Sequence, residues 1–213
     1  MIGELSEKGV HNGLKNYLEP DKSKQEIQVG RYVADIKNEN GIIEIQTKQF
    51  HKLVDKIEYY LNLGIPVKVV YPLEVERYIV RSYGTRKSWY KGVVQDSLYE
   101  MYCLIKYFDN DLFTFSIIEV VVNEHRNENN NKTKRELVQI VREHLYHNSK
   151  EYLDAMVPFE DVFTRKEFMS LGIHAKKLNP LKGLLMNNLL EIAGKRRNEL
   201  LYKKRVDNSN NIC

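Results

Sequence analysis

The chain alternates between apolar positions at helical spacing and apolar positions at strand spacing. In residues 2–18, Val10, Leu14 and Tyr17 share one face and Pro20 stops the segment, which predicts a helix. Glu7 falls on the same stripe, where a carboxylate is costly unless it is paired or binds a cation. A strand is predicted over Glu26–Asn38 with a bulge or bend at Gly30, and a second over Gly41–Thr47, joined by a hairpin turn at Asn38-Glu39-Asn40-Gly41. In the second strand Ile43 and Ile45 face one way while Glu44 and Gln46 face the other. Phe50, Leu53, Val54, Ile57 and Leu61 predict an amphipathic helix over Gln49–Leu63, and Val-rich Pro66–Leu73 a buried strand.

Further along, strands are predicted at Arg77–Arg81 and Phe113–Val122, and helices at Ser97–Phe108 and Leu137–Leu153. Thr85–Gly92 reads as a basic, aromatic loop, and Asn127–Asn131 as a polar loop that marks a domain boundary. Thr164 then caps a short helix over Arg165–Leu171, and Gly172 turns the chain. Asn179 and Pro180 open a second helix that runs to Asn188, and Leu190–Tyr202 forms two strands around Lys195–Asn198. That succession resembles a winged helix-turn-helix.

Composition adds exclusions more than assignments. The chain has 213 residues and 42% hydrophobic positions, enough for one sizeable domain or two small ones with a packed core, and its fourteen Tyr read as mostly structural. Two distant cysteines, Cys103 and Cys213, make neither a disulfide framework nor a zinc site, and His144 and His147 read as a helix face. No segment has the ~20 apolar residues of a membrane span, and the first residues lack a basic-then-apolar leader, so the expectation is a cytoplasmic protein with no membrane partner. Charge is unevenly distributed. From Met156 onward 11 Lys/Arg face 6 Asp/Glu, while the remainder carries 22 against 23, so a nucleic-acid contact is expected first in the last quarter.

The candidate chemistry lies in the first hairpin. A two-residue loop at Glu39-Asn40 pairs Asn38 with Gly41 and sets Asp35 opposite Glu44, with Cβ atoms roughly 4.5–5.5 Å apart. Carboxylates that close repel unless a proton or cation lies between them, and at neutral pH a divalent metal suits the position. A bulge at Gly41 would shift this register. Gln46 projects on the same face and is placed to orient a water or a phosphate oxygen.

A helix bearing Glu7, then Asp35, then Glu44-Ile45-Gln46 on the next strand, then helix and strand, resembles the PD-(D/E)XK nuclease superfamily over roughly residues 1–75. The resemblance implies that Asp35 and Glu44 bind Mg²⁺ or Mn²⁺, that the Ile45 carbonyl adds a ligand, and that Glu7, or alternatively Glu4, is an accessory acid. His11, one turn beyond Glu7, is placed to touch substrate. Gln46 departs from the Lys usual at that position. Some restriction endonucleases of the superfamily use Glu-x-Gln there, and Lys48 is a possible substitute for the missing charge.

The expected fold class is α/β: a restriction-endonuclease-like mixed sheet flanked by helices, plus a small C-terminal winged-helix domain. Residues 1–125 form the nuclease-like domain, 133–206 the winged helix-turn-helix-like domain and 207–213 a disordered tail. Lys195, Arg196, Arg197, Lys203, Lys204 and Arg205 are the expected DNA contacts. The expected activity is metal-dependent hydrolysis of DNA phosphodiester bonds, with homodimerisation open. One alternative is a DNA-binding regulator whose nuclease-like core is inactive. Another is an interaction protein that uses the tyrosine-rich middle and the loop Arg86–Lys91 as its contact surface.

Overall fold

In the computed structural model, the described residues are 4–126, 133–171 and 180–205; the side chains of residues 4–8 and 180 lie outside this set. Helix α1 (Glu4–Leu18) is followed by β1 (Gln25–Val29), β2 (Tyr32–Asn38) and β3 (Gly41–Ile45). Helix α2 (Val54–Asn62) leads into β4 (Val67–Arg81), which turns back as β5 (Gly84–Lys87). Then come α3 (Val94–Glu100), β6 (Phe113–Arg126), β7 (Thr133–Tyr146) and α4 (Ser149–Met156). The last part holds β8 (Phe163–Thr164), α5 (Arg165–Met169), α6 (Pro180–Met186), β9 (Leu190–Arg196) and β10 (Glu199–Lys204).

Among the described residues the main sheet runs β1-β2-β3-β4-β6-β7, with β5 also paired to β4. It is mixed: β3 and β6 are parallel to β4, whereas β1, β2 and β3 form antiparallel hairpins and β7 returns antiparallel to β6. Parallel pairs need long crossovers, and helix α2 supplies the one between β3 and β4. Val10 and Leu14 of α1 pack on Ile36, Ile45, Val70, Ile118, Val120 and Val122 on one face. The opposite face is covered by α2, α3, α4 and the C-terminal elements. There Ile57, Leu98, Tyr152, Phe163, Phe168 and Leu181 belong to one continuous core. The result is a large mixed sheet flanked by helices on both faces.

Several expectations change. The predicted Glu26–Asn38 strand is a hairpin, because Val29 pairs with Tyr32 and Gly30 takes the positive φ of the intervening turn. Arg77–Arg81 is not separate but the distal half of β4, and the loop predicted from Thr85 begins as β5. Leu137–Leu153 is not a helix. Residues 133–146 form strand β7, and helix starts only at Ser149, after Asn148 accepts a capping bond from Glu151 N–H. The β-branched Val138, Ile140 and Val141 favour strand, and ladder bulges between Glu119/Val120 and Val121/Val122 disguise the two-residue alternation. His144 accordingly lies on a strand and meets Glu119 at 2.7 Å, instead of sharing a helix face with His147.

Two glycines in α1 explain how closely it seats. A Cβ at Gly9 would overlap the Arg135 carbonyl oxygen, and one at Gly13 would press on Leu137 at 2.7 Å, so helix and edge strand touch nearly backbone to backbone. Tyr17, predicted on the packed face, is 62% exposed, and Leu18 packs there instead. Thr164 caps α5 through a capping box with Glu167. The turn at Gly172, the cap at Asn179, the polar loop at Asn127–Asn131 and the tail 207–213 lie outside the described residues.

Candidate functional site

The β2–β3 hairpin has the register its turn residues predict: Asn38 pairs with Gly41, Lys37 with Ile42 and Ile36 with Ile43. Gly41, at φ 122° and tight against the Pro66 carbonyl, is where only glycine fits. Continued by one pair, that register sets Asp35 across from Glu44. Instead of a further ladder bond, Asp35 Oδ2 accepts the Ile45 N–H at 2.8 Å and faces His11 Nε2 at 3.2 Å. Burial alone would raise the Asp35 pKa, but these bonds and the nearby His11 and Lys56 outweigh it and hold the carboxyl below its ordinary value.

Glu44 has the opposite balance. It is 2% exposed, and desolvation pushes its pKa up to about 7, against the pull of Lys56 and with the help of Asp35. Lys56 Nζ donates to Glu44 Oε2 at 2.6 Å, while Oε1 is buried with no hydrogen-bond partner among the described residues. A buried carboxylate oxygen without a hydrogen-bond partner is costly. Both carboxylates line an open cleft of about 720 Å³ together with His11, Lys15, Glu26, Gln46, Thr47 and Lys56. Lys15, itself buried, is tied to Glu26 at 2.8 Å, so the cleft wall carries charges of both signs.

The other predicted site residues are placed as follows. Ile45 and Gln46 both line the cleft. The Gln46 amide nitrogen donates to the carbonyl of Lys48, and its backbone N–H continues the ladder to Val70 at 2.9 Å. Glu7 lies on α1, as does Glu4, but their side chains fall outside the described residues. Lysine 56 escaped sequence reasoning although a signal existed. It falls between Leu53 and Tyr60 on the buried stripe of α2, the same kind of intrusion that singled out Glu7.

At the C-terminal end, Lys195, Arg196 and Arg197 are exposed at the β9–β10 hairpin, where Arg196 pairs with Glu199 in the ladder. The second basic group is paired within the protein: Lys203 bonds Glu191 at 2.9 Å, Arg205 approaches the same carboxylate at 3.8 Å, and Lys204 meets Asp154 at 2.6 Å.

Residues 8–153 match the family described as a domain of unknown function (DUF8091), most of the chain. An uncharacterized protein of Treponema pallidum (strain Nichols) is 30% identical over 104 residues, which is 47% of this chain and 41% of that protein. The chain thus spans less than half the length of this relative. No solved structure matches. No helix among the described residues is long and apolar enough to cross a membrane.

Proposed function

This chain belongs to the DUF8091 family, and from its cleft we propose that it is a metal-dependent nuclease hydrolysing DNA phosphodiester bonds, with a restriction-endonuclease-like core. The observation that carries the reading is the buried Oε1 of Glu44, without a hydrogen-bond partner among the described residues, beside Asp35 in an open cleft. The order α1, antiparallel β1-β2-β3, α2, then β4 parallel to β3 supports it as well. The donor set suits a hard divalent cation: two carboxylates, one with a free oxygen, and the Ile45 carbonyl next in the chain. Bound there, Mg²⁺ or Mn²⁺ would supply positive charge to offset that developing on the phosphate.

The protein's own groups divide the remaining work. The Ile45 N–H and His11 fix Asp35 in its ionised form and in one orientation. Glu44, with a pKa near neutrality, can hold or release a proton at Oε1. Lys56 brings to the cleft the positive charge that Gln46 does not, and Gln46 is left to orient a water or a phosphate oxygen.

The C-terminal elements support a DNA-holding role. Their order α4, β8, α5, α6, β9, β10, with β8-β10-β9 as a small sheet, resembles the layout of a winged helix, and in that reading the exposed Lys195, Arg196 and Arg197 would form the wing tip. A second reading, a DNA-binding regulator with an inactive core, is favoured by the Gln46 amide being engaged with its own loop.

The deciding experiment incubates the protein with linear, circular, branched and single-stranded DNA in Mg²⁺, Mn²⁺ or EDTA, beside a folded Asp35→Ala/Glu44→Ala variant. Metal-dependent cutting lost in the variant is expected. Salt-sensitive binding by both proteins without cutting would leave the regulator.

A further inference from the structure

From Arg77 to Gln95 the chain has no Asp or Glu, but five Lys/Arg and the only tryptophan, Trp89. The tryptophan is 90% exposed, Tyr83 is 71% exposed, and all of β5 is open to solvent. Such a side chain is expensive to leave bare in water, and Arg86, Lys87 and Lys91 flank it in the sequence. Among the described residues, Arg86 and Lys91 make no ion pair with a carboxylate, whereas Lys87 is tied to Glu76 at 2.7 Å.

The position of this segment follows from the sheet. Strand β6 holds one edge of β4 along nearly its whole length. The other edge is taken first by β3, whose last bond runs from Gln46 N–H to Val70. It is then taken by Gly92 on Glu74 at 2.9 Å, by Ser88 on Arg77 at 2.7 Å and by β5 beyond. The segment Ser88–Gly92 therefore succeeds β3 on the same edge, next to the end of β3 that carries Glu44 and Gln46. Tyr90 and Thr47 line one small cavity, and Thr47 also lines the Asp35–Glu44 cleft. Arg77 lies over the Tyr90 ring at 4.6 Å and is itself held by Glu74 and Glu124, which pins the base of the loop while Trp89 projects from it.

We propose that this loop is a single-strand grip, in which Trp89 stacks on an unpaired nucleobase and Arg86 and Lys91 contact the phosphates beside it. Stacking on an indole tolerates any base, because every base has a π face, and clustered cations supply the affinity that follows the backbone. The charge of the segment favours a polyanion over a neutral protein surface. The inference deepens the nuclease reading by naming its substrate class, a strand with at least one unstacked base at the rim of the cleft.

Because Trp89 is the sole tryptophan, its fluorescence reports this contact alone. Wild-type protein in EDTA is titrated with a short oligothymidylate, with a closed-ended duplex of equal length and with phosphatidylserine vesicles. Expected are saturable, salt-sensitive quenching by the oligothymidylate and little by the duplex. Trp89→Phe, followed by anisotropy of labelled oligonucleotide, should keep binding, while Trp89→Ala should weaken it by roughly 5- to 100-fold at unchanged thermal stability. Arg86→Ala/Lys91→Ala should flatten the salt dependence by about 1.4 in slope. Absence of quenching by the oligothymidylate, equal quenching by the duplex, undiminished affinity of Trp89→Ala, or quenching by vesicles alone would overturn the proposal. Binding in EDTA is independent of hydrolysis. A protein that stacks without ever cutting loses only the nuclease reading, and one that cuts without stacking loses only this grip.

Discussion

Lys56 and Glu44 form a one-sided pair: Nζ lies 2.6 Å from Oε2, and the other carboxylate oxygen has no hydrogen-bond partner among the described residues. The pair is only half a solution to burying Glu44, since one cation on one oxygen does not compensate a carboxylate that is 2% exposed. Removing the lysine should make matters worse. Lys56→Met is expected to drive the Glu44 pKa further up and to slow metal-dependent hydrolysis at neutral pH. Recovery of rate at higher pH, read from a pH–rate profile, distinguishes this from simple unfolding.

Glu44 also makes stability depend on pH. Its folded pKa, about 7, lies above the ordinary 4.5, so below pH 4.5 the group is protonated in both states and costs nothing. Between pH 4.5 and 7 the unfolded chain ionises while the folded one retains its proton, and stability falls; above pH 7 the loss is constant. Glu44→Gln should therefore gain on wild type as pH rises, by about 2–3 kcal/mol between pH 5 and 8 in urea denaturation. A gap that does not widen with pH would refute the assignment.

A divalent cation bound at Oε1 should offset part of that penalty. Mg²⁺ or Mn²⁺ at tenfold over its dissociation constant is expected to stabilise the protein by about 1.4 kcal/mol at pH 8, and less at pH 6, where a proton competes for the site. Thermal denaturation of wild type and of Asp35→Asn/Glu44→Gln checks this, with the variant expected to show no cation-dependent shift.

The two basic groups of the C-terminal hairpin should behave differently. Replacing Lys195, Arg196 and Arg197 by Ala should lower the slope of log K against log salt for duplex DNA by about 2.7. Lys203→Ala should change it less, because Lys203 is already paired with Glu191. Binding isotherms at several salt concentrations decide the matter.

Gly9→Ala tests how α1 is seated. Alanine is the better helix former by about 1 kcal/mol, yet its Cβ would overlap the Arg135 carbonyl, and displacement of the helix should cost about 1–3 kcal/mol. Urea denaturation should show net destabilisation, and the shift should also loosen His11 from Asp35.

What could be read ahead from the sequence was local. The hairpin register followed from two loop residues and Gly41, and the helix–hairpin–helix–strand order from plain periodicity. The cap at Thr164 and the strands around Lys195–Asn198 were equally visible. What escaped depends on distant partners. Strand β7 reads as a helix in the sequence because bulges at the sheet edge blur its alternation, and its identity is fixed by pairing with β6. Lys56 meets Glu44 only because α2 lies over β3, and the continuity of Ser88–Gly92 with β3 exists only along the edge of β4.

The close seating of Gly9 and Gly13 on β7 also bears on when the cleft comes into being. His11 reaches Asp35 from a helix whose main support is a strand made more than a hundred residues later. Hairpin and turn can form early from local contacts, but the helical wall of the cleft must wait for that long loop to close. During synthesis the carboxylates of the hairpin thus precede their wall, and a chain that stops short of β7 has Asp35 and Glu44 without the shape of the cleft.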